Sequence, residues 1–399
     1  MNPWRSLRGL PRDVWVLFVV SLVNRAGTMV MPFLALYIAE ANGLDFGASV
    51  AGGAIMAYGV VALVMGPIGG RLADRFGAVT VMKVSLLGTG AVLAIMPVAR
   101  TIPSLVAVML LWALFAELLR PASLAIAADA APPEQRRASF AVGRLAVNLG
   151  MSIGPVAGGF LAEISYSFLF YVDAATSVAA AALLFVLPLE LKWAAPRAAP
   201  GEPAPATTPG RTWMTDTRLL WVLAASLPVA LVFFQLIAAL PLYMKRDLRM
   251  SESMVGIVFS VNTILIVLTE VPLNAAMSRW SHRMSLATGA VFTAVGYGAL
   301  VFAIGPISTA MTVVLWTIGE MILFPSLSAY ISDLSPAEQR GRYMGLYAMN
   351  FSIAFALGPW LGTRVLDTIG GPWLWVACFG VALLSAVMFL RVRGEPAHP

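Results

Sequence analysis

Twelve runs of mostly apolar residues, each about 20 long, follow one another along the chain, and this limits its fold more than any other feature. A helix of that length crosses a bilayer core of roughly 30 Å. Inside lipid every backbone N–H and C=O needs a partner within the protein, which leaves helices or closed barrels. The runs are too long and too uniformly apolar for barrel strands, whose residues alternate. Helices are therefore predicted over 13–39, 48–69, 80–99, 103–127, 138–162 and 168–190, then over 218–243, 254–277, 285–304, 308–331, 342–366 and 371–390. Only 12% of residues are charged and mean hydropathy is +0.84, whereas a soluble domain carries about a quarter. The expected fold class is all-α integral membrane. The run Val14–Ile38 is longer than the apolar core of a signal peptide and holds Asn24 and Arg25, so it is read as a span and not a cleaved leader.

The twelve runs fall into two sets of six, and the sets repeat. Residues 121–162 land on 325–366 after an ungapped shift of 204 positions, with ten identities. These are Pro121/Pro325, Ala125/Ala329, Asp129/Asp333, Pro132/Pro336, Glu134/Glu338, Gln135/Gln339, Arg136/Arg340, Gly154/Gly358, Pro155/Pro359 and Gly158/Gly362. Duplication of a six-helix unit explains them. The expected organisation is two pseudo-symmetric six-helix bundles, 1–192 and 218–399, joined by a Pro-rich linker, 193–217. In membrane proteins such halves suggest a transporter that binds between them.

Lys and Arg set the expected orientation. With the N-terminus inside, the inner segments hold 18 of the 26, including Arg5, Arg8, Arg12, Arg71, Arg75, Lys83, Arg197, Arg211 and Arg393. The outer ones hold Arg100, Lys245, Arg246, Arg249 and Arg364. This bias predicts a multi-pass protein of the cell membrane, the inner membrane in a bacterium, with both termini cytoplasmic. The net charge of +6 is scattered over short loops and is read as topology, not nucleic-acid binding. Cys378 is the one cysteine, which rules out an internal disulfide and argues against a metal cluster. There is no phosphate-binding loop of the G-x4-G-K-[ST] type. His282 and His398 lie in a loop and the tail, and no nucleophile–base set stands out. No cofactor, metal or enzymatic activity is expected. The expected partners are a small-molecule substrate, protons and the lipid bilayer, and the expected state is a monomer.

Two stretches carry recognisable spacing. Gly66 to Gly77 reads GPIGGRLADRFG after the second helix, where Gly70 and Gly77 permit a tight turn and close approach, and Asp74 and Arg75 can pair across helix ends. The fifth helix carries Gly150, Gly154, Pro155, Gly158 and Gly159, small residues that let backbones touch beside a proline that favours a bend. The first stretch resembles the signature loop of the major facilitator superfamily, G-x-L-A-D-R-x-G-R-[RK], through Gly70, Leu72, Ala73, Asp74, Arg75 and Gly77. It departs from that pattern at Ala78 and Val79. The second resembles the G-x3-G-P-x2-G-G motif of the superfamily's twelve-helix drug:proton antiporters and matches throughout. The resemblance implies the major facilitator fold and a latch between the first loop and an acid ending the fourth helix. Asp129 fits that acid, with Arg75, Lys83 or Arg144 as its partner. The corresponding stretch of the second half, VPLNAAMSRWSHR, has lost the pattern.

Charges inside apolar helices are costly and mark function or pairing. Glu117 and Arg120 stand three apart in the fourth helix, on one face if that helix is continuous. Asn24 and Arg25 are central in the first. Glu270 lies in the eighth and Glu320 in the tenth, the latter 203 positions after Glu117. The resemblance places the first and fourth helices at a central cavity and aligns Arg120 with an arginine implicated in proton movement, although the usual Gln and Gly after it are absent. Glu320 has no basic residue within a turn on its own helix and is the first choice for the proton, with Glu270 second. Glu117, one turn from Arg120, reads mainly as an ion-pair partner. Trp316 precedes Glu320 by four residues, a pairing suited to amphipathic cations. Gln235, Asn262 and Asn350 are weaker substrate-binding candidates. A structural ion-pair network is the bland reading of Arg25, Glu117 and Arg120.

The sequence thus points to a proton-coupled exporter of small amphipathic compounds. A specific carrier of a zwitterionic metabolite, peptide or lipid headgroup is the rival, and a non-transporting receptor is the rival of another class. If the linker carries no chemistry, halves separated near Gly201 and co-expressed should associate and transport. Absence of flux with both halves in the membrane would contradict this.

Overall fold

The computed structural model describes residues 9–40, 47–132, 135–193, 216–277, 279–336 and 339–392, without the side chains of Glu40, Arg137, Val271, Ala275 and Arg340. Gly201 and most of the linker, Glu134 and Glu338 of the repeat, Arg5, Arg8, Arg197, Arg211, Arg393 and His398 lie outside the described residues. Among the described residues, 12 helices are long and apolar enough to cross a membrane. They are Arg12–Ala39, Ala48–Phe76, Ala78–Val98, Ile102–Asp129, Ala138–Ile164, Tyr166–Val186, Thr217–Ile237, Glu252–Glu270, His282–Phe302, Pro306–Leu334, Gly341–Thr368 and Gly371–Phe389. They are called here the first to the twelfth span. The predicted seventh helix, 218–243, is two pieces, since Ala239–Arg246 forms a separate short helix.

By packing, the chain divides into two compact units: Met1–Phe33 with Val60–Glu202, and Leu34–Gly59 with Pro203–Pro399. The units differ from the expected halves by Leu34–Gly59, and side-chain size explains the difference. In the second unit the start of the second span lies directly on the eleventh. A Cβ at Gly59 would sit 2.7 Å from the Ala356 Cα, and Gly52 meets Thr363. Tyr58 packs edge-on to Phe355 at 6.2 Å. Asp367 closes this contact, because its Oδ2 accepts from the Ser49 N–H at 2.6 Å and its Oδ1 pairs with Arg246 at 3.3 Å.

In the first unit the second span runs on as helix to Phe76, so the stretch read as a loop from Gly66 is helical. The connection to the third span is Gly77 alone, at φ +91°, a conformation that glycine adopts without strain. Close approach occurs at Gly69, where a Cβ would lie 2.8 Å from Pro121, while Gly70 has open space beside it. The fourth span is broken. Helix Ile102–Ala116 ends, Glu117 and Leu118 form a turn, and a second helix runs Leu119–Asp129. Pro121 lacks the N–H that would bond to the Glu117 carbonyl, and its ring crowds the preceding turn. The tenth span keeps Pro325 inside one continuous helix of 29 residues.

Buried aspartates hold helix ends. Asp13 Oδ2 accepts from the backbone of Glu190 at 3.1 Å and Leu191 at 2.9 Å, tying the first span to the end of the sixth. Asp216 caps the seventh span through Oδ1, at 3.0 Å from the Arg218 N–H and 3.4 Å from that of Leu219, while Oδ2 accepts from the Tyr343 hydroxyl at 3.0 Å. Replacing Asp216 by Ala should cost about 1 to 2 kcal/mol, read as a lower thermal unfolding midpoint, and Asp216→Asn should recover part of it. An unchanged midpoint in the Ala variant would show that the cap contributes nothing.

Candidate functional site

In the first unit the polar groups gather where the first span breaks. Its first helix, Arg12–Gly27, ends before Thr28, and a second starts at Val30. A break inside lipid frees backbone groups, each costing several kcal/mol if left bare. The Thr28 hydroxyl donates to the Asn24 carbonyl at 3.1 Å, and the Thr28 N–H to that of Arg25 at 3.1 Å. The carboxylate of Asp173, on the sixth span, accepts from the backbone N–H groups of Val30 and Met29 and lies within electrostatic reach of Arg25. Asn24 Nδ2 donates to Ser177 Oγ at 3.2 Å, one turn beyond Asp173. Asp173 was not among the sequence candidates. A lone Asp inside a 21-residue apolar helix is the signal that could have found it.

The glycines of the fifth span seat that break. A Cβ at Gly150 would lie 2.5 Å from the Arg25 Cβ, at Gly154 2.9 Å from the Thr28 carbonyl oxygen, and at Gly158 2.8 Å from the Met29 Cβ. Pro155 and Gly159 are buried beside them. The second unit repeats the arrangement with other chemistry. Helix Thr217–Phe233 passes into a 3-10 turn, Phe234–Ile237, against the eleventh span. A Cβ at Gly358 would lie 2.9 Å from the Leu231 carbonyl oxygen, and Gly362 faces the Gln235 amide. Here the freed groups are carbonyls, so donors satisfy them. Tyr297 donates to the Phe233 carbonyl at 2.8 Å, and Gln235 Nε2 to those of Leu231 and Gly358 at 2.9 and 2.8 Å.

Glu320 is half-buried and bonded to the eighth span. Asn262 Nδ2 donates to Glu320 Oε2 at 2.7 Å and to Thr317 Oγ1 at 3.0 Å. Glu270, two turns further along Asn262's helix, lies within electrostatic reach of Glu320. Trp316 is 1% exposed and stacked on Tyr297 at 5.6 Å, so it belongs to the packed core and not to an open wall shared with Glu320. A set of half-buried rings on the seventh, tenth and eleventh spans was missed in the sequence. Phe233 meets Phe324 at 4.8 Å, Phe324 meets Phe351 at 4.9 Å, and Phe234 meets both Phe351 and Phe355 at 5.3 Å. Asn350 ties the eleventh span to the seventh, donating to Ser226 Oγ at 2.9 Å. Gln235 likewise serves a helix contact.

Glu117 and Leu118 interrupt the fourth span between Ile102–Ala116 and Leu119–Asp129, and both keep right-handed helical backbone angles. Glu117 is half-buried at the turn and Arg120 is exposed on the next helix. Asp74 and Arg75 are both exposed, and among the described residues no ion pair joins them, because both ride the last helical turn and not a loop. Arg75 instead lies over the Phe76 ring, and Lys83 over that of Phe185 at 4.0 Å. The charge facing Asp129 is Arg136. Its repeat equivalent Asp333 pairs with His282 at 3.1 Å, a residue of the stretch that had lost the loop pattern.

The fifth-span contact sets an expected outcome. Gly154→Leu should insert in the membrane yet lose at least about tenfold in transport rate, since no backbone-contact site accepts a branched side chain without moving the helix. Gly143→Leu, where open space surrounds the Cβ position, is the control. Normal flux in the Gly154 variant would refute the close-packing role.

The sequence model of the Major Facilitator Superfamily matches residues 16–246 and 222–399. An uncharacterized MFS-type transporter of Bacillus subtilis, YqjV, is 27% identical over 377 residues, covering 93% of this chain and 89% of its own. The quinolone resistance protein NorA of Staphylococcus aureus is 24% identical, covering 95% and 96%. The crystal structure of a POT peptide transporter superposes with a TM-score of 0.82 at 18% identity, over 96% of this chain and 94% of that one, and shares the fold. With twelve spans, the glycine-seated breaks and a family match along essentially its whole length, the chain belongs to the Major Facilitator Superfamily of multi-pass membrane transporters.

Proposed function

We propose that this chain exports small amphipathic compounds, cations foremost, in exchange for protons by alternating access. The observation that carries the reading lies in the second unit. Glu320, half-buried and held by Asn262, shares its helix with Phe324, and Phe324 joins the ring cluster of Phe233, Phe234, Phe351 and Phe355. An acid beside polarizable rings suits an amphipathic cation. A carboxylate neutralised by the cation has no need of a proton, and one neutralised by a proton has no hold on the cation. Exclusive occupancy of one group links the two fluxes. Glu270, close enough to repel Glu320's charge, is the second proton site. The match to the antiporter motif at Gly150, Gly154, Pro155, Gly158 and Gly159 supports exchange, and the likeness to a quinolone resistance protein supports drugs as cargo. Asp173, within electrostatic reach of Arg25, holds the first-span break.

The Lys and Arg bias supports a cytoplasmic position for both termini. A reporter that fluoresces only in the cytoplasm should therefore be bright when fused after Pro399, and a dark fusion would reverse the orientation.

The coupling test is Glu320→Gln in proteoliposomes, assayed against a panel of hydrophobic cations. The variant should keep counterflow of substrate down its own gradient and lose accumulation driven by an imposed pH gradient. Full pH-driven accumulation would move the proton site to Glu270 or Glu117. Flux confined to one zwitterionic compound in the wild type would instead favour the specific carrier.

A further inference from the structure

A cavity of about 300 Å³ opens where the seventh, tenth and twelfth spans end, lined by Thr217, Arg218, Trp221, Tyr330, Arg391 and Val392. It lies wholly within the second unit and away from Glu320 and the ring cluster. Two guanidinium groups face one space. Arg218 is half-exposed and stands 3.7 Å from Asp216, but both carboxylate oxygens of Asp216 already accept from the Arg218 and Leu219 N–H groups and the Tyr343 hydroxyl. Arg391 is exposed just past the last helix, and among the described residues no ion pair is formed by it. The other acid nearby, Asp333, is engaged by His282, whose ring rests edge-on against Tyr330 at 5.5 Å. The residues lining the cavity thus include two arginines and no acid, and its first wall is the positive end of the seventh helix.

The remaining wall is apolar. Trp221 donates its indole N–H to the Met388 carbonyl at 3.1 Å, which staples the seventh span to the twelfth and leaves the ring 38% exposed. Leu220 and Leu390, both exposed, continue the surface outward. An indole at the boundary with paired arginines above and leucines below matches the sequence of chemistries along an anionic phospholipid, from phosphate to glycerol to acyl chain. Basic pockets between span ends bind such headgroups.

We infer that this cavity is a binding site for an anionic phospholipid of the phosphatidylglycerol class, with the phosphodiester between Arg218 and Arg391 and the acyl chains along Trp221. Free phosphate shares the headgroup chemistry but has nothing to place on the indole and the leucines.

The test places the full chain in nanodiscs containing phosphatidylglycerol brominated on its acyl chains, which quenches nearby indoles. The chain has 11 tryptophans, so the Trp221 signal is taken as the difference between wild type and Trp221→Phe. Half-quenching of that signal should need several-fold less brominated phosphatidylglycerol than brominated phosphatidylcholine. The double variant Arg218→Gln, Arg391→Gln should raise the phosphatidylglycerol requirement roughly tenfold or more. If the double variant does not fold, Arg391→Gln alone, beyond the last helix, should raise it by a smaller factor. Millimolar inorganic phosphate should not relieve the quenching. Equal quenching by the two lipids, no response to loss of the arginines, or displacement by inorganic phosphate would each overturn the lipid site.

Discussion

Two helices that break inside lipid impose the constraint on which the rest of the structure depends. Each break frees backbone groups that water does not reach, and the fold supplies a partner for them. In the first unit the freed groups include the N–H donor of Val30, and the sixth span brings an acceptor, Asp173, which also reaches the Met29 N–H that bonds the Gly27 carbonyl at 2.8 Å. In the second the freed groups are carbonyls, so the ninth span brings the hydroxyl of Tyr297 and the seventh its own Gln235. The seat beneath each break is the same. On the fifth and eleventh spans, Gly154 and Gly358 let backbone meet backbone, and Gly158 and Gly362 receive the Met29 and Gln235 side chains. A duplicated sequence therefore preserved the steric solution and diversified the polar one.

That division explains which parts of the repeat survive. Gly154/Gly358 and Gly158/Gly362 are identities where an added Cβ meets a neighbouring backbone carbonyl, at Gly154 and Gly358, or a packed side chain, at Gly158 and Gly362. Asp129 and Asp333 are also identities; Asp129 faces Arg136, and Asp333 pairs with His282, whose position in the first half is Ala78. The acids at the span centres diverged furthest. Glu117 lies at a turn between two helices, whereas Glu320 lies in an unbroken helix beside Asn262. The two carboxylates stand at nearly matching places in the sequence, yet only one sits in a regular helix with a fixed donor.

The spans, the two-fold repeat and the family were legible because they rest on length, apolarity and glycine spacing, which are local properties. Legibility failed where a distant element decides. The end of the second span was set too early at residue 69, because Gly70 reads as a breaker until the packing shows open space around it and the true turn at Gly77. Trp316 looked like a wall of the site since it lies one turn from Glu320, but Tyr297 on another span covers it. The half-buried phenylalanines come from three spans, and no spacing in one dimension brings Phe233, Phe324 and Phe351 together. Asp173 was visible as an acid in an apolar run, though its role needed the break in the first span to be seen.

The central claim is that a side chain from another span holds the broken first helix. Amide hydrogen exchange at Met29 and Val30, measured in nanodiscs for wild type and for Asp173→Ala, addresses it most directly. The account predicts slow exchange in the wild type and exchange faster by about an order of magnitude or more in the variant, with residues of the twelfth span unaffected. Equal protection of Met29 and Val30 in both proteins would contradict it.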